Sequence, residues 1–84
     1  MVKIWIKQLN KLNLNSNIDF DKIILDIFNL NFQDYDFKQL SWFKNLFRIR
    51  TGNYRIIFSN NKWNIRILFI WKRWDVYKWL KKYR

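Results

Sequence analysis

The chain has 84 residues, with 17 Lys plus Arg against six acids and a formal net charge of +11. It contains no Cys and no His, which excludes a disulfide framework, a thiolate zinc site and imidazole acid–base chemistry. Its single Gly excludes a P-loop and a dinucleotide-binding fingerprint. The length implies one domain over residues 1–84 with a small core, burying about 60–65% of the surface of the unfolded chain. The basic excess favours a polyanionic partner: nucleic acid, an acidic membrane or an acidic protein. Mean hydropathy is −0.39. The longest apolar run, Ile67 to Trp71, is too short to span a bilayer. The N-terminus has no signal-peptide pattern, so the expected location is the cytoplasm.

Apolar residues at 2, 5, 6, 9 and 12 predict a first helix over Val2 to Leu12, although Val2, Ile4 and Ile6 also alternate as a short strand would. Asn13 to Asn17 reads as a turn. Positions 20, 23, 24, 27 and 28 form one apolar face of a second helix within Ile18 to Phe32, capped by Asn17 or Asp19. Asn31 to Asp36 reads as a loop. The period then changes to two. In Leu46 to Thr51, Phe47 and Ile49 point one way and Arg48 and Arg50 the other. Gly52-Asn53 is a turn signal, and Tyr54 to Ser59 is rich in β-formers. A second turn spans Asn60 to Asn64. Ile65 to Trp71, apolar at nearly every residue, fits a central strand covered on both faces. Asp75 can cap a final helix whose Lys78, Lys81, Lys82 and Arg84 suit its negative end. The expected fold is α+β: two N-terminal helices on a small antiparallel meander of three or four strands, then a C-terminal helix.

Arg48, Arg50 and Arg55 lie on neighbouring strands. Lys72 and Arg73 end the last strand, and Tyr77 and Lys78 follow in the final helix. Converging guanidinium groups grip phosphate bidentately and stabilise charge that develops in phosphoryl transfer. The plain alternative is a solvated face of a very basic protein, and Tyr77 by itself is an ordinary half-buried helix residue.

Leu46-Phe-Arg-Ile-Arg-Thr-Gly-Asn-Tyr-Arg-Ile-Ile-Phe58 resembles the hallmark hairpin of the RelE/ParE toxin superfamily: two spaced basic residues, a turn, then a Tyr-Arg pair. Ile67 to Tyr77 is similar to the family's next strand and its ending, and Lys7 to Leu12 to its first helix. The resemblance implies the toxin of a type II toxin–antitoxin pair, of the RelE-like branch. Such proteins cut mRNA in the ribosomal A site without metal or other cofactor, the RNA 2′-hydroxyl attacking its own phosphate. It further implies catalytic roles for Arg50, Arg55, Arg73 and Tyr77, and RNA binding by Arg48, Arg50, Lys72, Arg73 and Lys78. Arg55 matches the residue that holds the scissile phosphate, and Arg73 the one near the leaving oxygen. The implied partner is an acidic, partly disordered antitoxin. Two departures stand out. Arg50 occupies a place where some members have a lysine base, and arginine stays protonated. Only six residues precede Lys7, so the family's first strand is short or absent.

The chain has six Trp beside one Gly and neither Ala nor Pro. Residues with GC-rich codons are depleted, as in an AT-rich gene. Trp63 falls in a turn, and the family commonly carries glycine near the positions of Trp42, Trp71 and Trp74. Two readings stay open: UGA codons that the source organism translates as glycine, or true indoles that cover a small core and stack on bases.

Other functions share parts of this pattern. A ParE-like inhibitor of DNA gyrase has the same fold without needing the arginine and tyrosine constellation. A non-catalytic nucleic-acid-binding module needs only the charge and the aromatics. A metal-dependent nuclease would rest on Asp34 and Asp36, which lack a third carboxylate at useful spacing. A membrane-active peptide needs a longer basic amphipathic helix than the last ten or so residues provide.

Overall fold

The computed structural model describes residues 4–40 and 44–72, together with Asp75, Lys78 and Lys81. Helix α1 spans Ile4–Asn15 and α2 spans Phe20–Phe28. Strands β1 (Asp36–Gln39), β2 (Leu46–Thr51), β3 (Tyr54–Asn61) and β4 (Asn64–Lys72) form one antiparallel sheet in the order β1-β2-β3-β4. Asp75, Lys78 and Lys81 are α-helical, as expected after the last strand. No helix among the described residues is long and apolar enough to cross a membrane.

Helix α1 starts and ends differently from its sequence reading. Ile4 and Ile6 are helical, so their alternation does not make a strand. The helix also runs on through Asn13 to Asn15, and the turn begins at Ser16, whose hydroxyl accepts from the Ile18 amide at 3.1 Å. Helix α2 begins at its Asp cap: the Asp19 carboxylate accepts from the Lys22 amide at 3.1 Å. Phe20, Ile23, Ile24 and Ile27 of α2 are buried, whereas Phe28 is 49% exposed and drops off the expected apolar face. Leu30, in the left-handed region, ends the helix, and the Asn31 amide reaches back to the Asp26 carbonyl at 2.9 Å.

The sheet has two unlike faces. Leu12, the buried residues of α2, Ile49, Ile56, Phe58, Ile67 and Ile70 form the main core between helices and sheet. Ile57 and Phe69 form a smaller cluster on the other face, with Leu40, Leu68 and Trp71 around it. The second face is the one turned away from α1 and α2. Strand β1 is a short edge strand with every residue exposed, in a segment that the sequence left partly as loop. Its anchor is Phe37, which stacks between Phe32 at 4.3 Å and Phe47 at 5.4 Å.

Strand β4 is an edge strand, not the central strand that its apolar composition suggested; β3 is central. Two features explain the composition. Ile57 pairs with Phe69 while Phe58 pairs with Ile67, so Leu68 is an extra residue and the facing pattern shifts by one. Helix α1 also covers the outer edge, where the Gln8 side-chain oxygen accepts from the Ile70 amide at 2.8 Å. An edge N–H that would otherwise be buried without a partner is thereby satisfied.

Candidate nucleic-acid interface

Alternation along β2 sends Phe47 and Ile49 into the helix-packed core and leaves Arg48 and Arg50 for the opposite face. The tight Thr51–Tyr54 turn fixes the register of β3 on β2. Gly52 supplies the positive φ, 57°, that this turn requires at its first central position. Arg50 therefore pairs with Arg55, and Arg48 with Ile57. The next strands extend the row: Asp36 lies opposite Arg50, and Trp71 opposite Arg55. One face thus carries Arg48, Arg50 and Arg55 together, bordered by Asp36 on one side and Trp71 on the other.

The three guanidinium groups differ in environment. Arg55 is 6% exposed, the one buried charged residue among those described. The Arg48 side chain is 15% exposed, and its Nη1 lies 3.6 Å from Asp36 Oδ1 without making a hydrogen bond. Arg50 is exposed. Like charges directly opposite each other on a sheet are destabilising, and a buried cation carries a desolvation cost. Asp36 offsets this cost at Arg48. The exposed Arg50 guanidinium is open to solvent, and the fork geometry of arginine suits a phosphate.

The face continues toward the other end of the hairpin. Ser59 pairs with both Leu46 and Arg66, and Asn61 with Asn64. These residues, with Lys44 and Asn45, line an open groove of about 470 Å³. Ser59 lies four residues from Arg55 on β3, about 13 Å along the strand. Lys44 and Arg66 thus form a second basic group on this face, separated from Arg50 and Arg55 by the buried Ile57 and Phe69.

The structure brings together Arg48, Arg50 and Arg55 and separates Lys72 from them. Lys72 pairs with Tyr54, whose ring meets Phe20 edge-on at 5.5 Å on the helix-packed face. The bulge at Leu68 is the cause, because it sets the phase of the last residues of β4. Lys78 is exposed and helical. Arg73 and Tyr77 lie outside the described residues, as do Trp42 and Trp74. Sequence reasoning missed Asp36 as the counter-ion of Arg48, and missed Lys44 and Arg66 as an extension of the face. Alternation along β4 carried a signal for Arg66; the pairing that gives Asp36 its role is long-range and carried none.

Asp36, which the sequence offered with Asp34 as a weak cation site, is instead an ion-pair partner. No cluster of three metal-ligating side chains occurs among the described residues. A separate polar cluster ties α2 to the segment before β1. The Asp26 carboxylate accepts from the Tyr35 hydroxyl and from the Lys22 ammonium, the latter at 3.1 Å. These donors hold the Asp26 carboxyl below its ordinary range, Tyr35 contributing most. Burial and the Asp26 bond push the Tyr35 phenol up, and the hydrogen bond to Asp26 raises the Lys22 ammonium. This cluster is structural and lies away from the arginine row.

No protein-family model and no curated protein matches the chain. Its fold is similar to that of a chain in the crystal structure of the RelB-RelE antitoxin-toxin complex from Methanococcus jannaschii. The TM-score is 0.62 at 21% identity, covering 93% of this chain and 94% of that one. The α+β arrangement of two helices and a four-stranded antiparallel sheet is therefore a RelE-like fold.

Proposed function

We propose that this chain is the toxin of a type II toxin–antitoxin module and acts in the cytoplasm as a ribosome-dependent endoribonuclease. The observation that carries the reading is the placement of Arg48, Arg50 and Arg55 on one face of a RelE-like sheet. In the proposed reaction the RNA 2′-oxygen forms a bond to phosphorus while the bond from phosphorus to the 5′-oxygen breaks. The products are a 2′,3′-cyclic phosphate and a 5′-hydroxyl. Arg55 holds the non-bridging oxygens, where charge grows in the transition state. Arg48 and Arg50 bind the flanking phosphates, and Arg73 and Tyr77 act at the leaving oxygen and the neighbouring base. The proton on the 2′-hydroxyl needs an acceptor other than a guanidinium, which stays protonated. An acidic antitoxin segment would neutralise the same basic face, so its affinity should fall steeply with salt.

The test maps mRNA 5′ ends after a short pulse of expression in a test bacterium, beside an Arg55→Ala control. Cuts inside translated frames that disappear in the control support the nuclease. Growth arrest without cuts moves the reading to a gyrase inhibitor of the same fold. Binding of RNA with neither arrest nor cuts leaves a non-catalytic module.

A further inference from the structure

Lys62 and Trp63 are the two-residue connection between β3 and β4, closed by the Asn61–Asn64 pair. Both have positive φ, 50° and 72°. Two successive positive values are the signature of a type I′ hairpin turn, whose second central residue is glycine by strong preference. A bulky side chain in this region is a true outlier, costing roughly five- to thirtyfold in the folding equilibrium. Leu30 also has positive φ, but it is half-buried at a helix end and held by backbone hydrogen bonds, whereas Trp63 has its amide bond to the Asn60 side chain at 3.2 Å. The Trp63 indole is 78% exposed, so packing returns little for the strain. The β2–β3 hairpin turn, at Gly52, uses the one glycine the chain has.

Trp71 poses a second conflict. It stands directly opposite Arg55, the most buried of the described arginines. Its ring already carries the Lys11 ammonium 5.5 Å from its centroid. With Trp at 71, a guanidinium that is 6% exposed has little room for the phosphate that the proposed reaction places on it, and the side chain across from it is the largest of all. Glycine in a strand marks a place where a ligand or another backbone comes close.

Composition links the two positions. Six Trp beside one Gly, with no Ala and no Pro, is out of proportion in a chain whose other residues follow AT-rich codons. UGA differs from the glycine codon GGA by one base, and replaces GGA under AT pressure wherever UGA is a glycine codon. We infer that Trp63 and Trp71 are encoded by UGA, that the source organism translates these codons as glycine, and that the protein made there has a relaxed β3–β4 turn and an open notch beside Arg55. The turn and the composition stand apart from the proposed nuclease activity; only the purpose of the notch rests on it.

The test reads the codons at 63 and 71 and sequences, by peptide mass spectrometry, the protein isolated from its own organism. UGA codons with glycine-bearing peptides are expected. UGG codons, or UGA codons with indole-bearing peptides, overturn the inference. In parallel, Trp63→Gly in the chain as written should shift the folding equilibrium five- to thirtyfold toward the native state; no gain overturns the turn assignment. Trp71→Gly should speed modification of Arg55 by an arginine-specific reagent, read on the Arg55 peptide. An unchanged rate overturns the notch. None of these readouts depends on RNA cleavage, so the two proposals fail separately.

Discussion

Arg50 and Arg55 face one another directly across β2 and β3, one guanidinium exposed and the other buried. Like charges directly opposite each other on a sheet repel, which works against the hairpin that carries them. Under the proposed function, the same charge that works against the hairpin would strengthen the hold on RNA phosphate.

Arg50→Thr removes the like-charge neighbour and inserts a good β-former. The expected gain is about 0.2–1 kcal/mol in stability, with weaker binding of a single-stranded RNA. Urea unfolding and titration of a labelled oligonucleotide check the two effects together. A variant that loses both stability and binding would count against the pair as a functional strain.

Arg66 lies at the far end of the same face, in the groove with Lys44 and Ser59. Arg66→Ala should weaken RNA binding to a similar extent across sequences. It should also make the dependence of log affinity on log salt shallower by about 0.7, the value for one phosphate on a single strand. An unchanged slope would place the RNA elsewhere.

Gln8 closes the outer edge of β4 by accepting from the Ile70 amide. Gln8→Ala leaves that part-buried N–H without its acceptor and should cost about 1–3 kcal/mol. Gln8→Glu keeps an acceptor and should recover most of the loss. Hydrogen exchange at the Ile70 amide, fast in the alanine variant alone, separates this bond from a general packing effect.

The Asp26 cluster makes stability depend on pH in a direction that follows from its causes. The carboxyl is held below its ordinary value of 3.8, first by Tyr35 and then by Lys22. Its contribution is therefore complete above that ordinary value and is lost as pH falls through the lower folded-state value. Lys22 is raised above 10.5, so its contribution is present below that value and is lost as pH rises through the raised one. Asp26→Asn should flatten the acid limb of a melting-temperature profile relative to the parent chain. Unchanged profiles would mean that the cluster does not persist in solution.

Much of the fold was legible because local rules dominate its elements. The Asp19 cap, the α2 face through Ile27 and the alternation of β2 each need only neighbours in sequence. The Gly52 turn then set Arg50 against Arg55. Long-range features were not legible. Strand β1 exists because Phe37 stacks with Phe32 and Phe47, a contact between three separate segments. Helix α1 runs past its expected end to Asn15, and the Asn13 side chain there donates to Asp21 of α2 at 3.3 Å, a contact between separate segments.

The sequence by itself determined the charge, the helix faces, the hairpin and the grouping of Arg48, Arg50 and Arg55 on one side of it. These follow from period, turn chemistry and composition, which are short-range. Only the tertiary structure decided the phase of β4. Strict alternation would place residue 71 with Ile65 and Ile67 on the helix-packed face. The extra residue at Leu68 instead puts Ile70 beside Ile56 and brings Trp71 across from Arg55. A bulge costs little locally and is selected by what both sheet faces must bury, so its position is settled by the packed core and not by the strand that carries it.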